Sequence, residues 1–337
     1  MINEKDLQKY DKHEMHKVYD NWTQIAKDAY RNNSDHVDFS DINNVIFVGM
    51  GGSGTAADIF QSILSQTSMH ITVVKGYTLP KTINKETLIV GTSISGNTEE
   101  TLIAVKDSLN YDCKRITFSS GGKLEEFAKK NDIEHVQLPM YENPRSSLPS
   151  TLYIELKALH STLSIDEKVI IDSLNALSNM REKISSNNLT DQNPAINLAS
   201  WISKVPFIYY PAGLKAITTR FKNSIHENMK KHAYIENVIE SCHNQIMAWE
   251  EKTDVMPILL RGTDDHHKTI ERWNMVKEIL QIHNVEYREE IVSGNNILSK
   301  TISTIYKLDY CTIYGAIMSG MDPYPIESIN HIKKLLK

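Results

Sequence analysis

Cysteine is scarce in this chain. Cys113, Cys242 and Cys311 lie far apart among 337 residues and form no CxxC pair, so they fit a reducing compartment and read as space-filling side chains rather than metal ligands. Long apolar runs are missing too, none approaching the roughly 20 residues needed to span a bilayer. The N-terminal Met1-Ile2-Asn3-Glu4-Lys5-Asp6 holds no apolar signal core, and the expectation is a cytoplasmic protein with no membrane partner. Positive charge is not in excess: 37 Lys and Arg against 42 Asp and Glu leave a net charge of −5, which argues against the basic stripe of a nucleic-acid binder. No low-complexity linker divides the chain. What remains is a globular composition, 40% hydrophobic and 23% charged, long enough for two domains of ordinary size.

The apolar pattern predicts helix over residues 5–31 and then a repeating unit. Val45-Ile46-Phe47-Val48 reads as a buried strand, Gly49 to Gly54 as a glycine turn, Thr55 to Leu64 as a helix and Ile71 to Val74 as a second strand. Leu88 to Val90, Arg115 to Phe118 and His135 to Leu138 supply three more strands, with helices over Thr98–Leu109 and Lys123–Lys130 between them. Residues 165–203 look like a helical, polar connector. The alternation then resumes with a strand at Pro206–Tyr210, a helix from Leu214 through His232, a strand at Val255–Leu260, a helix over Lys268–Ile282 and a strand around Val285–Val292. Helices follow at Ile297–Met318 and Ser328–Lys337. Continuous apolar strands alternating with helices predict an α/β fold with parallel sheets covered on both faces. The predicted division is 1–40, an N-terminal helical extension; 41–150, a first α/β domain; 151–203, a helical connector; and 204–337, a second α/β domain with C-terminal helices.

Two turns carry chemistry. Gly49-Met50-Gly51-Gly52-Ser53-Gly54 satisfies the glycine spacing of a dinucleotide-binding turn. However, the acidic residue expected about 20 positions on is missing, since Val74 leads into Lys75-Gly76. The second, Gly91-Thr92-Ser93-Ile94-Ser95-Gly96-Asn97-Thr98, crowds hydroxyls around a glycine between a strand and a helix. A helix cap accounts for one hydroxyl; a cluster of four makes an anion cradle, with backbone N–H groups and the helix dipole adding positive potential. Phosphate is the expected anion.

These two motifs resemble the sugar isomerase (SIS) domain. Further along, His226-Glu227-Asn228-Met229-Lys230 and His243-Asn244-Gln245-Ile246-Met247-Ala248-Trp249, with Glu227 and His243 16 positions apart (243 − 227), resemble the bifunctional phosphoglucose/phosphomannose isomerase family over nearly the whole chain. The resemblance implies two SIS-type α/β/α domains and a metal-independent isomerase of glucose 6-phosphate, fructose 6-phosphate and mannose 6-phosphate, with no organic cofactor. In it Gly52, Ser53, Ser93, Ser95 and Thr98 hold the substrate phosphate. Glu227 carries a proton between C1 and C2 of a cis-enediolate, a task suited to a tuned carboxylate. His243 opens the sugar ring, reaching the site from a neighbouring subunit and so implying a homodimer. Arg145, in Asn143-Pro144-Arg145-Ser146-Ser147, stabilises the enediolate, and Lys333 matches a C-terminal active-site lysine, with Lys334 and Lys337 beside it.

In isolation these residues have plainer readings. Glu227 would be an exposed helix carboxylate paired with Lys231, His243 a histidine packed beside Trp249, and Arg145 half of a surface salt bridge. Asp264-Asp265-His266-His267 looks like a metal cluster, but Thr263 or Asp264 reads better as the cap of the following helix. The chain departs from the family at Ile239, where proline is frequent, at His226, in place of asparagine, and at Tyr324, where a small hydroxyl residue is common. A non-catalytic sugar-phosphate sensor and an isomerase of another sugar phosphate, such as an amino sugar or heptulose, are the rival functions.

Overall fold

A computed structural model describes residues 2–32, 37–141 and 144–335; Asn143 and Lys337 of the motifs above lie outside the described residues. The chain divides into two units. One comprises residues 21–175 and 296–298 and holds a five-stranded sheet; the other comprises 1–20, 176–295 and 299–337 and holds a four-stranded sheet. Both sheets are wholly parallel, with helices on both faces.

The N-terminal helical stretch is three helices, α1 (Glu4–Tyr10), α2 (Met15–Asp20) and α3 (Trp22–Asn32). The sequence pattern runs on without a break, but the buried Asp11 carboxylate accepts the backbone N–H groups of Met15 and His16, each at 2.9 Å, and so starts α2 afresh.

In the five-stranded unit β1 (Asn44–Val48) leads to α4 (Gly51–Leu64) and the edge strand β2 (His70–Val74). Then follow β3 (Thr87–Ser93), α5 (Glu99–Asp107), β4 (Lys114–Ser119), α6 (Gly122–Lys130), β5 (Glu134–Gln137) and α7 (Leu148–Leu159). The strand order is β2-β1-β3-β4-β5. β1 and β3 are buried along their full length, as expected of strands covered on both faces. Helix α7 packs against α3 and α4.

The helix α8 (Glu167–Ile184) crosses from this unit into the other, as does α13 (Ile297–Met318) at its first residues. The four-stranded unit continues with α9 (Pro194–Trp201), β6 (Val205–Tyr210), α10 (Lys215–Ser224), β7 (Tyr234–Asn237), α11 (Val238–Ser241), β8 (Val255–Gly262), α12 (His267–Ile282) and β9 (Arg288–Val292), and ends in α14 (Glu327–Leu335). Its strand order is β7-β6-β8-β9. Three tyrosines four residues apart on α13 tie down neighbouring backbone: Tyr306 donates to Tyr19 O at 2.6 Å, Tyr310 to His16 O at 3.0 Å and Tyr314 to Ile184 O at 2.8 Å.

Three local expectations are corrected. The glycine turn is shorter than its motif, because α4 begins at Gly51 and Gly51-Gly52-Ser53-Gly54 form its first turn; glycines carry no helical signal in sequence. The helix expected through His232 ends early, and β7 follows where no strand was expected. Lys230, in the left-handed region at φ +54, stops the helix. Finally, the cap of α12 is His266, whose ring accepts from Lys268 N at 3.2 Å, rather than Thr263 or Asp264. Among the described residues no helix is long and apolar enough to cross a membrane.

Candidate active site

In a doubly wound sheet ligands bind beyond the carboxyl ends of the strands, where the strand order reverses. In the five-stranded sheet that reversal lies between β1 and β3. The two motifs singled out above begin at the ends of those two strands.

After β1, Gly49 lies so close to its neighbours that a Cβ there would come within 3.0 Å of Ser53 Cβ and 3.2 Å of Thr92 O. The two turns are therefore side by side. Met50 caps α4 without a side-chain bond, which leaves the first-turn N–H groups available to an anion. Ser53 is buried, Gly52 half-buried.

After β3 the turn is built from within. Ser93 Oγ and Thr98 Oγ1 share a hydrogen bond of 2.8 Å, Gly96 N donates to Ser93 O at 2.8 Å, and Asn97 Nδ2 donates to Ser95 O at 2.8 Å. Thr98 occupies the cap position of α5, yet its side chain makes no capping bond; its hydroxyl is engaged by Ser93 instead. A simple cap therefore does not explain the hydroxyl cluster. Ser95 is exposed and Thr98 half-buried. The turn is locked onto the one after β4: Ser120 N donates to Ile94 O and Leu124 N to Gly96 O, both at 2.9 Å. Gly96, at φ +65, would place a Cβ 1.7 Å from Gly121 O. Exposed Glu99 and half-buried Glu100 lie in the first turn of α5, so anion binding here rests on hydrogen bonds more than on net charge. Ser93→Ala is expected to raise KM for a sugar phosphate on the order of tenfold with kcat much less affected, by loss of a hydrogen bond to a charged group; initial-rate kinetics check this.

Arg145 belongs to the same unit, in a 3₁₀ turn (Pro144–Ser147) that leads into α7 and contacts α4. It is 8% exposed, unlike the surface ion pair that was its plainer reading.

Glu227 and His243 lie in the four-stranded unit. Helix α10 widens at its end into a π-helical turn, Ile225–Met229, that carries Glu227 half-buried; such turns recur at functional positions. Its flanks are fixed. Asn228 Nδ2 donates to the buried Thr312 Oγ1 at 2.7 Å, and Lys230 Nζ donates to Glu227 O and, at 3.4 Å, to Pro323 O. The departure at His226 is held by Nε2, which accepts from Ala233 N at 3.3 Å, and burial lowers its proton affinity. The helix stops at Lys230, so Lys231 lies beyond it.

Seven residues before Glu227, Arg220 is buried and grips Asp309 of α13, with Nε and Nη2 donating to Oδ2 at 3.0 and 2.7 Å. Ser224 Oγ donates to Asp309 Oδ1 at 2.6 Å. The field of Asp309, with smaller contributions from Tyr19 and Glu227, holds Arg220 firmly charged against its burial. This pair escaped the sequence reading; the one signal was an aspartate in the middle of an apolar helix pattern.

His243 follows α11 and is exposed. Trp249, by contrast, is buried and donates from Nε1 to Tyr209 OH at 2.6 Å. Lys333 and Lys334 both lie exposed on α14, a helix with no buried residue. Tyr324 stacks on His13 at 4.0 Å between ring centres, and His13 in turn pairs with Asp322 at 3.0 Å. The acidic-histidine run is taken up locally: Asp264 pairs with Lys300 and Asp265 accepts from Trp273 Nε1 at 2.7 Å. Among the described residues no group of three His, Cys, Asp or Glu is placed to hold a metal ion.

Comparison with known proteins bears on the whole chain. The bifunctional phosphoglucose/phosphomannose isomerase of Caldicellulosiruptor bescii is 32% identical over 333 residues, covering 95% of this chain and 97% of the relative. The chain belongs to the bifunctional phosphoglucose/phosphomannose isomerase family. A second member, from Aquifex aeolicus, is 30% identical over 321 residues and covers 94% of both chains. Residues 191–336 match the bacterial phospho-glucose isomerase C-terminal SIS domain. In fold, the chain is similar to the C-terminal domain of glucosamine-fructose-6-phosphate aminotransferase from Francisella tularensis, with a TM-score of 0.69 at 13% identity, covering 93% of this chain and 97% of that one. The family resemblance drawn from the motifs is thus borne out, as are the two parallel sheets of SIS type.

Proposed function

We propose that the protein interconverts glucose 6-phosphate and fructose 6-phosphate through a cis-enediolate, and accepts mannose 6-phosphate as well. The observation that carries this reading is the position of Ser93–Thr98 beside Gly52 and Ser53 at the reversal of the five-stranded sheet, in a chain of this family. In this reading Ser53, Ser93, Ser95, Thr98 and the Gly52 amide hold the phosphate. Glu227 takes the proton from one carbon and returns it to its neighbour, Arg145 offsets the enediolate charge, and His243 opens the ring. Lys333 is assigned to the active site on the family pattern alone. By function, 41–150 binds phosphate and 204–337 supplies the chemistry, with 1–40 and 151–203 as packing segments, in a cytoplasmic enzyme that needs no cofactor.

The working unit is a homodimer in which His243 serves the partner's site. Topology supports this. In a parallel sheet the helix returns antiparallel to its strands, so the end of α10, with Glu227, lies where the strands begin. His243 follows the opposite end of β7, four residues and roughly 13 Å further along. His243 also sits on a segment whose Tyr234, Ile239 and Met247 are 54%, 38% and 60% exposed, an apolar set at a sheet edge that a second subunit would cover.

The reading is tested by a coupled assay of glucose 6-phosphate formed from fructose 6-phosphate; tight binding of the sugar without turnover would instead indicate a sensor. Within that assay, Glu227→Gln and His243→Ala are each expected to be nearly inactive, and mixing them after reversible dissociation to restore up to about a quarter of wild-type activity, since one heterodimer site in two is intact. Failure of the mixture to recover activity would argue that each chain completes its own site.

A further inference from the structure

The phosphate turn rests on a buried acid that the reaction does not use. Thr92, the residue before Ser93, donates from Oγ1 to Glu155 Oε1 of α7 at 2.6 Å, and Glu155 is 1% exposed. Its second oxygen, Oε2, has no hydrogen-bond partner among the described residues.

We propose that Glu155 is a positioning residue for the substrate phosphate, held uncharged beneath the turn and fixing the end of β3 through Thr92. This rests on the assignment of phosphate to residues 93–98. An ionised carboxylate in this place would leave a buried, charged oxygen without a donor, a far costlier arrangement than a protonated one. Among the described residues no cation is recorded as shifting the Glu155 carboxyl. On α3, Lys27, Asp28, Tyr30 and Arg31 are the titratable groups; on α4, Asp58; before α7, Arg145; and on α7 itself, Tyr153, whose hydroxyl shares a hydrogen bond with Ser173 Oγ, and Lys157. Asp58 is paired with Lys75, Tyr30 donates to Glu167 and Lys157 stacks on Tyr30. Burial pushes the Glu155 carboxyl up to about 8, and among the described residues the Thr92 hydroxyl opposes it.

The role of neutrality is specific. Thr92 and Ser93 are adjacent in a strand, so their side chains leave opposite faces. The Glu155 contact therefore anchors the strand end from one face while the Ser93 hydroxyl is presented on the other. A neutral acid does this without setting a negative charge under a dianion. Once the acid ionises, that charge repels the substrate phosphate and loses nothing by doing so in the proton-transfer step, so the effect falls on KM rather than on kcat.

The experiment measures KM and kcat for fructose 6-phosphate from about pH 7 to about pH 9.5 in wild type, Glu155→Gln and Ser93→Ala. Wild-type KM is expected to rise on the order of tenfold across this range as the buried charge forms, and Glu155→Gln to remove the rise. A rise of the same size in Glu155→Gln, or a flat wild-type KM while Ser93→Ala remains defective, overturns the role of Glu155 alone. A Ser93→Ala KM equal to that of wild type overturns the phosphate assignment, and this proposal with it. Wild-type protein also gives an answer that needs no variant. The infrared C=O stretch of a protonated carboxyl is expected to persist at about pH 7 and vanish as pH passes about 8; absence of the band at neutral pH overturns the proposal.

Discussion

Glu227→Gln is expected to lower kcat for fructose 6-phosphate by roughly two to four orders of magnitude, the range of a lost general base, while leaving KM within a fewfold of wild type. Glutamine keeps the shape and the hydrogen-bonding reach of the side chain but does not accept the C1 or C2 proton. The π-helical turn should persist, because its supports are elsewhere: the Asn228 contact to Thr312 and the Lys230 bond to the Glu227 carbonyl do not involve the carboxylate. Far-UV circular dichroism and urea unfolding establish that the fold is intact. Loss of deuterium exchange at C1 of fructose 6-phosphate, alongside loss of turnover, would assign the defect to proton transfer. An enzyme that exchanges and turns over normally would remove Glu227 from the role of base.

The second large effect concerns stability. Arg220→Met is expected to destabilise the protein by about 3–5 kcal/mol, the cost of breaking a buried ion pair from one side. Asp309 is fully buried and among the described residues would keep Ser224 and Tyr19 as donors, the latter at 3.3 Å. Joint replacement, Arg220→Met with Asp309→Leu, should recover much of that loss, since a well-packed apolar pair avoids the uncompensated charge. Urea denaturation midpoints of the single and double variants decide the matter, and a single variant as stable as wild type would mean that Asp309 finds another partner. The joint variant carries a second reading. Arg220 lies in the field of Glu227, so a stable double variant with a displaced pH optimum would separate the structural from the electrostatic role of the pair.

A pH dependence of stability follows from Glu155. Its folded-state proton affinity is raised from the ordinary 4.5 to about 8. Its contribution to stability is therefore fully present below about pH 4.5 and is lost as pH climbs through about 8. Thermal unfolding of wild type against Glu155→Gln should diverge across this window and nowhere else.

The central strands were legible because burial on both faces writes them as unbroken apolar runs. Val45–Val48 and Leu88–Val90 are of this kind, and both lie inside β1 and β3. The edge strand β7 was not legible, since Tyr234-Ile235-Glu236-Asn237 is exposed to half-buried and follows a polar stretch that passes for helix surface. The hydroxyl turn was legible as a strand-to-helix junction, since β3 ends at Ser93 and α5 begins at Glu99, and its proposed anion role rests on its composition. The roles proposed for Glu227 and His243 rest on resemblance to a family, as a lone glutamate and a lone histidine carry no distinguishing pattern. Arg220, Asp309 and Glu155 were invisible for a further reason. Each matters through a partner 63 to 89 positions away, and nothing in a linear sequence marks such a pair.

The interlocking of the turns after β3 and β4 bears on how the substrate is recognised. With Gly96 closed over Gly121 and main-chain bonds joining Ile94 to Ser120 and Gly96 to Leu124, the loop is ordered when the chain folds. On the proposed assignment of phosphate to this turn, the anion meets a template already formed, and association forfeits little loop entropy. Inorganic phosphate, too small to reach the rest of the site, should for this reason compete with the sugar phosphates.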